Sequence, residues 1–491
     1  MRTSVAIFVL TVASFVLGLA RDLAIAKYFG ASWVSDALFL ALVVPVFFEN
    51  IFGIALRDAL IPRLKLVFLQ NPSAYGHEVN RLGAFALFAS TGILIIFQTV
   101  PRFWVNLLAP GWDVTSLNLA TQLYTIAVFL VVIHAWGYFQ TAVLNSEGIF
   151  VLPMWRSVLF NVGALLGIAL YPEHIASVLV GMLMLLVCHS LWMQARLGAR
   201  GVDLSGIGWS EMITSQLAFL KAFLPLLGAT AVLQAIVISE RVFSSWLQPG
   251  SLSALSYAYR LTTVPLILFS VSVLTLIFPL LVARRLSGSK DEFCIALEKG
   301  LKVALLVLIP AAVFFQVFAE PITSLLFEHG VFRAHETEMT AGAVAGYAAG
   351  LPFMGLALLG SRAILALNQS RVLLSSALVG LLVTVVAQAF CFQAWNTLGL
   401  AAAVSIGAAS QAFVLWRHIL QLVPLQAFWI TIVRWFGAAL VVGAVLHTWP
   451  WRNTFGLLVA GMGMLIGLLL CVWCLGERGI FSRQLLHFET Q

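Results

Sequence analysis

Apolar residues run along this chain in blocks of roughly twenty or more, each closed by a short polar punctuation, from Val5 to Leu475. A helix needs about 20 mainly apolar residues to cross the hydrocarbon core of a bilayer. The blocks therefore predict spans over Val5–Phe29, Trp33–Pro62, Leu82–Leu107, Leu119–Asn145, Leu152–Leu170, Ile175–Gln194 and Phe219–Leu247. Seven more follow over Ser253–Val282, Leu301–Phe318, Thr340–Leu367, Val372–Ala394, Thr397–Leu420, Phe428–His447 and Phe455–Leu475. No soluble block interrupts the series, so the expected fold is an all-α polytopic membrane protein of about fourteen transmembrane helices.

Composition agrees: 61% of the 491 residues are hydrophobic and 10% are charged, against about 25% charge in soluble globular domains. The net charge of +7 would suggest nucleic acid in a soluble protein; here basic residues sort by loop instead. Arg63, Lys65, Arg81, Arg196, Arg200, Arg284, Arg285, Lys290, Arg371, Arg417, Arg478 and Arg483 fall on one side, and Arg102, Arg333 and Arg452 on the other. Basic loops stay in the cytoplasm, which predicts a multi-pass membrane protein with both termini cytoplasmic and no nucleic-acid partner. The first apolar stretch, with Arg2, Gly18 and Ala20, imitates a signal peptide but continues past the would-be cleavage site, so it reads as an uncleaved first helix. Cys471 and Cys474 form a CxxC inside the last apolar block without histidine partners, which favours packing over metal binding.

Sliding the chain 220 positions along itself superposes Arg21 on Arg241, Gly30 on Gly250 and Pro45 on Pro265. Pro62 and Pro279 both precede a basic turn, and Leu144-Asn145 and Leu367-Asn368 close corresponding spans. A duplication follows, with two six-helix lobes in parallel pseudo-two-fold repeat over 1–210 and 211–425 and an extra helix pair with a cytoplasmic tail over 426–491. Transporters are built this way, with the substrate path between lobes. Prolines within spans, Pro45, Pro265 and Pro352 above all, mark expected hinges or helix breaks. Gly342, Gly346 and Gly350 give one span a smooth face for close helix packing.

An ionised side chain at bilayer depth costs about 2.5 to 3.5 kcal/mol on insertion scales, so those that occur face a cavity or a partner. Arg21, Asp22, Asp36, Glu49, Arg241, Arg260 and Arg362 are the candidate cavity residues. Arg21 and Asp22 also read as a topology-fixing ion pair, and Lys27 as a snorkelling cation. Arg260, which follows Tyr257 and Tyr259 and precedes Pro265, suits bidentate contact with phosphate oxygens. No HExxH, GxSxG, P-loop or acidic metal-binding cluster occurs, so no enzyme, metal or organic cofactor is expected. The segment Ser324–Glu338, with Glu328, His329, Arg333, His335 and Glu336, reads as a solvated connection.

The segments LGLARDLAIAKYFGAS (Leu17–Ser32), SDALFLA from Ser35, GSLSALSYAYRL (Gly250–Leu261), LLFEHGVF (Leu325–Phe332) and YAAGL (Tyr347–Leu351) resemble the MviN/MurJ family of the multidrug/oligosaccharidyl-lipid/polysaccharide exporter superfamily. The resemblance covers nearly the whole chain. It implies a flippase that carries an undecaprenyl-pyrophosphate-linked glycan across the inner membrane by alternating access, with a groove for the lipid tail on the appended helices. By motif, Arg21, Asp22 and Asp36 match the family's RD and DA positions, and Arg260 the arginine of its eighth helix. The chain departs where peptidoglycan-precursor flippases usually carry arginines, at Phe15 and Glu49, and near Val43, where they carry lysine or arginine; their EGA motif is reduced to Gly53-Ile54-Ala55. Those departures favour an exopolysaccharide repeat unit as substrate, with lipid II as the alternative, and polysaccharide or cell-wall synthesis proteins as partners. A drug/cation antiporter and a membrane glycan polymerase are remoter alternatives. Membrane potential or a coupled ion is the expected drive.

Overall fold

In hydrocarbon a backbone has only itself to bond to, which leaves helices as the economical solution for a chain this apolar. The computed structural model describes residues 2–201, 231–232, 234–270, 274–423 and 428–447, with the single positions 456, 461, 463 and 467. Every regular element among them is helical. The first half comprises α1 (Arg2–Phe29), α2 (Trp33–Ala41), α3 (Val43–Phe48), a π-helical turn (Glu49–Gly53), α4 (Ile54–Gln70), α5 (Pro72–Thr99) and α6 (Pro101–Leu108). It continues with α7 (Val114–Ala127), α8 (Phe129–Ser146), α9 (Val151–Leu170) and α10 (Ala176–Leu197). Residues 234–244 are also helical. Then come α11 (Ser251–Thr262), α12 (Val264–Phe269), α13 (Thr275–Leu286), α14 (Lys290–Val317), α15 (Ala319–Phe327), α16 (Ala334–Ala366), α17 (Ser370–Leu422) and α18 (Phe428–His447). Eleven stretches of the described residues are long and apolar enough to cross a membrane. The chain is an all-α polytopic membrane protein. The domain limits at 210/211 and 425/426, most of the final span Phe455–Leu475 and the CxxC lie outside the described residues.

The duplication is visible in the backbone. Leu42 and Thr263 each interrupt a helix, short helices follow from Val43 and from Val264, and both run into π-type turns, at Glu49–Gly53 and at Ser270 and Leu274. Next come α5 and α14 with 28 residues each. The stretches Val114–Ser146 and Ala334–Ala366 have 33 each. Proline explains the matched interruptions: Pro45 cannot donate to the carbonyl of Ala41, nor Pro265 to that of Leu261. The expected single span Trp33–Pro62 is accordingly several helical pieces. Pro310 and Pro352, by contrast, sit inside α14 and α16, which run on through them. The two spans expected over Val372–Ala394 and Thr397–Leu420 are joined in α17, whose backbone turns at Asn396 with φ +48°.

The chain divides into two compact units, Met1–Ser253 with His329–Phe332, and Ala254–Glu328 with Arg333–Gln491. In the first, Leu60, Leu64, Val79, Leu82, Phe139 and Met193 form a buried apolar core shared by α4, α5, α8 and α10. Helices α9 and α10 approach backbone to backbone, where a Cβ at Gly163 would strike the carbonyl of Gly181. In the second, Gly346 and Gly350 of α16 face Ala401 and Ser405 of α17 with no room for a Cβ, and Gly342 lies against Leu398. The Ser405 hydroxyl donates to the Gly346 carbonyl at 2.7 Å and Thr397 to that of Met339 at 2.7 Å. Such close small-residue contacts replace hydrophobic driving force between helices in lipid.

Candidate functional site

Three groups of charged side chains in the first unit bring the candidate residues together, each assembled from more than one part of the chain. On α1, Arg21 Nε and Nη2 donate to Asp22 Oδ1 at 2.9 and 2.7 Å, and Arg21 Nη1 donates to Asn161 Oδ1 of α9 at 3.1 Å. The amide of Asn161 is itself held by the carbonyls of Ser14 and Ser157 at 3.0 and 2.9 Å. Arg21 and Asp22 are both buried, and the guanidinium lies 5.8 Å from the Phe160 ring centroid. A buried ion pair needs its remaining donors and lone pairs satisfied, and the amide of Asn161 serves that purpose while tying α1 to α9.

Asp36, near the start of α2, accepts hydrogen bonds at 2.7 Å from the backbone N–H of Gly250 and from both the N–H and the hydroxyl of Ser253. The carboxylate thus caps the first turn of α11, neutralising N–H groups that lack intrahelical partners. Gly250, with φ +92°, supplies the left-handed backbone of the turn that presents those groups. Arg241 lies near enough for its charge to act on Asp36, and its Nη1 sits 3.5 Å from Glu240.

The third group surrounds Glu49, the first residue of the π-helical turn. Its carboxylate stands 3.3 Å from Arg156 Nη2 of α9 and 3.7 Å from His134 Nε2 of α8, and it accepts from the Tyr138 hydroxyl at 3.2 Å. Arg156 also meets His134 Nδ1 and stacks over the Tyr138 ring, 4.1 Å from its centroid. Gly53 makes this approach possible, since a Cβ there would run into the Tyr138 ring. A position read from sequence as a reversed cavity charge is therefore a carboxylate that faces an arginine and a histidine from two other helices. Arg156, His134, Tyr138 and Asn161 were legible only as polar residues inside apolar spans, a signal that marks function or pairing without saying which.

The second unit carries Arg260 and Arg362. Arg260 is half-buried on α11 beside Tyr259, whose ring meets Tyr347 edge-on at 5.4 Å. Arg362 lies 5.5 Å from the ring centroid of Phe278, a cation–π distance. Lys27 is exposed and rests 5.6 Å from the Tyr28 ring centroid, as a snorkelling cation does. Its carbonyl accepts from Val331 N–H at 3.1 Å. Acids of the neighbouring connection are engaged in local bonding: Glu336 caps Arg333 N–H at 2.9 Å and Glu328 accepts from Thr337 at 3.0 Å. Among the described residues no group of His, Cys, Asp or Glu is arranged to hold a metal ion.

Residues 25–468 match the protein family described as lipid II flippase MurJ. A protein of Burkholderia cenocepacia named lipid II flippase MurJ is 26% identical over 468 residues, covering 89% of this chain and 87% of its own length. One from Buchnera aphidicola, named probable lipid II flippase MurJ, is 26% identical over 434 residues, covering 86% and 84%. Among solved structures, that of lipid II flippase MurJ in an inward closed conformation superposes with a TM-score of 0.82 at 23% identity, over 98% of this chain and all of that one. An inward-facing multidrug-resistance MATE transporter of the MOP superfamily superposes with a TM-score of 0.68 at 14% identity, over 84% and 96%.

Proposed function

The chain belongs to the lipid II flippase MurJ family, and from that premise we propose that it carries lipid II, an undecaprenyl-pyrophosphate-linked peptidoglycan precursor, from the cytoplasmic to the periplasmic leaflet of a bacterial inner membrane. It is a transporter and not an enzyme. The family match across residues 25–468 carries the reading, because it spans both halves of the duplication. The relatives named above are lipid II flippases, so the substrate placed second from sequence is better supported than an exopolysaccharide unit. A physical reason weakens the earlier preference too. Taken alone Glu49 reads as a lost cation, yet Arg156 brings positive charge to the same place from another helix.

A pyrophosphate with about two negative charges does not cross hydrocarbon unaided, and basic side chains must replace its water on the way. Outward movement of each negative charge down an inside-negative potential gains about 2.3 kcal/mol per 100 mV. That gain favours alternating access driven by membrane potential, alone or with a coupled ion. Arg260 and Arg362 are the binding residues proposed for the second unit, and Arg21, Asp22, Asp36, Glu49 and Arg241 those for the first. Complementation tests the assignment. Expressed in cells depleted of their own lipid II flippase, the chain restores growth and the appearance of lipid II at the outer leaflet. Absence of both, at membrane abundance equal to a rescuing control, overturns it.

A further inference from the structure

Around Glu49 the donors outnumber the acceptors. One carboxylate serves Arg156, His134 and the Tyr138 hydroxyl, at 3.3, 3.7 and 3.2 Å, each longer than a hydrogen bond of ordinary length. Among the described residues, Arg156 Nε and His134 Nε2 are buried without a hydrogen-bond partner. Arg57 on α4 adds positive charge within reach of Arg156. The burial is uneven, with 9% of the Arg156 side chain exposed against 26% for Glu49, so the carboxylate is the part of the cluster that solvent and solutes reach first. It hangs, moreover, on a π-helical turn, whose wider hydrogen-bonding pattern is frequent at functional sites.

We propose that Arg156, with His134 and Tyr138, is a binding position for a phosphate oxyanion, and that Glu49 occupies it as an internal stand-in until a phosphate displaces the carboxylate. A phosphate offers more acceptor oxygens than the carboxylate and the planar guanidinium matches it bidentately, so the exchange supplies acceptors to donors that now have none. Glu49 then sets specificity: it excludes weaker anions and returns to Arg156 after release. The inference rests on the flippase reading for the source of the phosphate, the pyrophosphate of a lipid-linked precursor. Free pyrophosphate shares that chemistry and is separated from it by the test.

The probes are undecaprenyl pyrophosphate, undecaprenyl alcohol and inorganic pyrophosphate, bound to the purified full-length chain in lipid nanodiscs. Undecaprenyl pyrophosphate binds the wild type more tightly than the alcohol does, and inorganic pyrophosphate competes with it. Glu49→Gln tightens undecaprenyl pyrophosphate binding by about tenfold, the scale of one charge-assisted interaction. Arg156→Gln alone leaves a carboxylate without its cation and can lower the yield of folded protein. The decisive variant is therefore Glu49→Gln with Arg156→Gln, which removes both charges together and loses about tenfold or more relative to Glu49→Gln. Equal affinity of that pair and Glu49→Gln overturns the proposal while leaving the flippase reading in place. Binding of inorganic pyrophosphate as tight as that of undecaprenyl pyrophosphate, or no preference for pyrophosphate over alcohol in the wild type, overturns the flippase reading and this proposal with it.

Discussion

A buried charge in this chain is defined by what it touches. Asp36 is 2% exposed and accepts from two backbone N–H groups and one hydroxyl. Replacement by alanine leaves those donors buried and unsatisfied, at about 1 to 3 kcal/mol each. Asp36→Ala should therefore unfold at clearly lower temperature than wild type in detergent, and Asp36→Asn, which keeps one acceptor oxygen, should recover part of the loss. Identical melting of Asp36→Ala and wild type would show the cap to be dispensable. Arg21 and Asp22 illustrate what was legible beforehand: neighbours in sequence, they were readable as an ion pair, and they are one. Their third member, Asn161, comes from another helix and nothing in the linear order of residues points to it.

At the level of helices, the duplicated prolines and the glycine stripe carry the local design. Pro45 and Pro265 coincide with matched interruptions, while Pro352 lies inside α16, which continues through it. The stripe at Gly342, Gly346 and Gly350 was expected to pack a helix closely, and it does. Its members are unequal, which makes a prediction. Gly346→Leu places a side chain where Ala401 and the Leu398 carbonyl already sit, and overpacking of this kind costs about 1 to 3 kcal/mol. Gly342→Ala meets Leu398 Cβ at 3.5 Å, ordinary contact, and should be tolerated. Thermal stability of the two variants, measured side by side, checks the ranking; comparable loss in both would mean the α16–α17 contact is not set by the stripe.

For the whole molecule, charge asymmetry between loops predicts an orientation in the membrane. From their order along the chain, Arg63, Lys65, Arg284 and Arg285 are expected on the side opposite Arg102 and Arg333, and basic segments remain cytoplasmic. A reporter fused after Gln491 should read cytoplasmic. A His335→Cys variant, at an exposed position, should react with a membrane-impermeant maleimide from the periplasmic side. A periplasmic reading at Gln491 would show the even span count to be wrong.

What the linear sequence determined is what the bilayer demands locally: helices of spanning length, their approximate limits, a duplicated order of elements, a charge bias between loops and a family. Each depends on residues adjacent in the chain or repeated along it, and hydrocarbon tolerates few alternatives. Tertiary structure decided which charges meet. Glu49 reads alone as an acid where the family resemblance leads one to expect a base, and only the approach of α8 and α9, made possible by Gly53, surrounds it with Arg156, His134 and Tyr138. Asp36 likewise acquires its partners from residues more than two hundred positions away. Periodicity says which residues are apolar enough to span, but the sign and occupancy of a buried site is a sum over side chains from several helices. That sum exists only once the helices have packed.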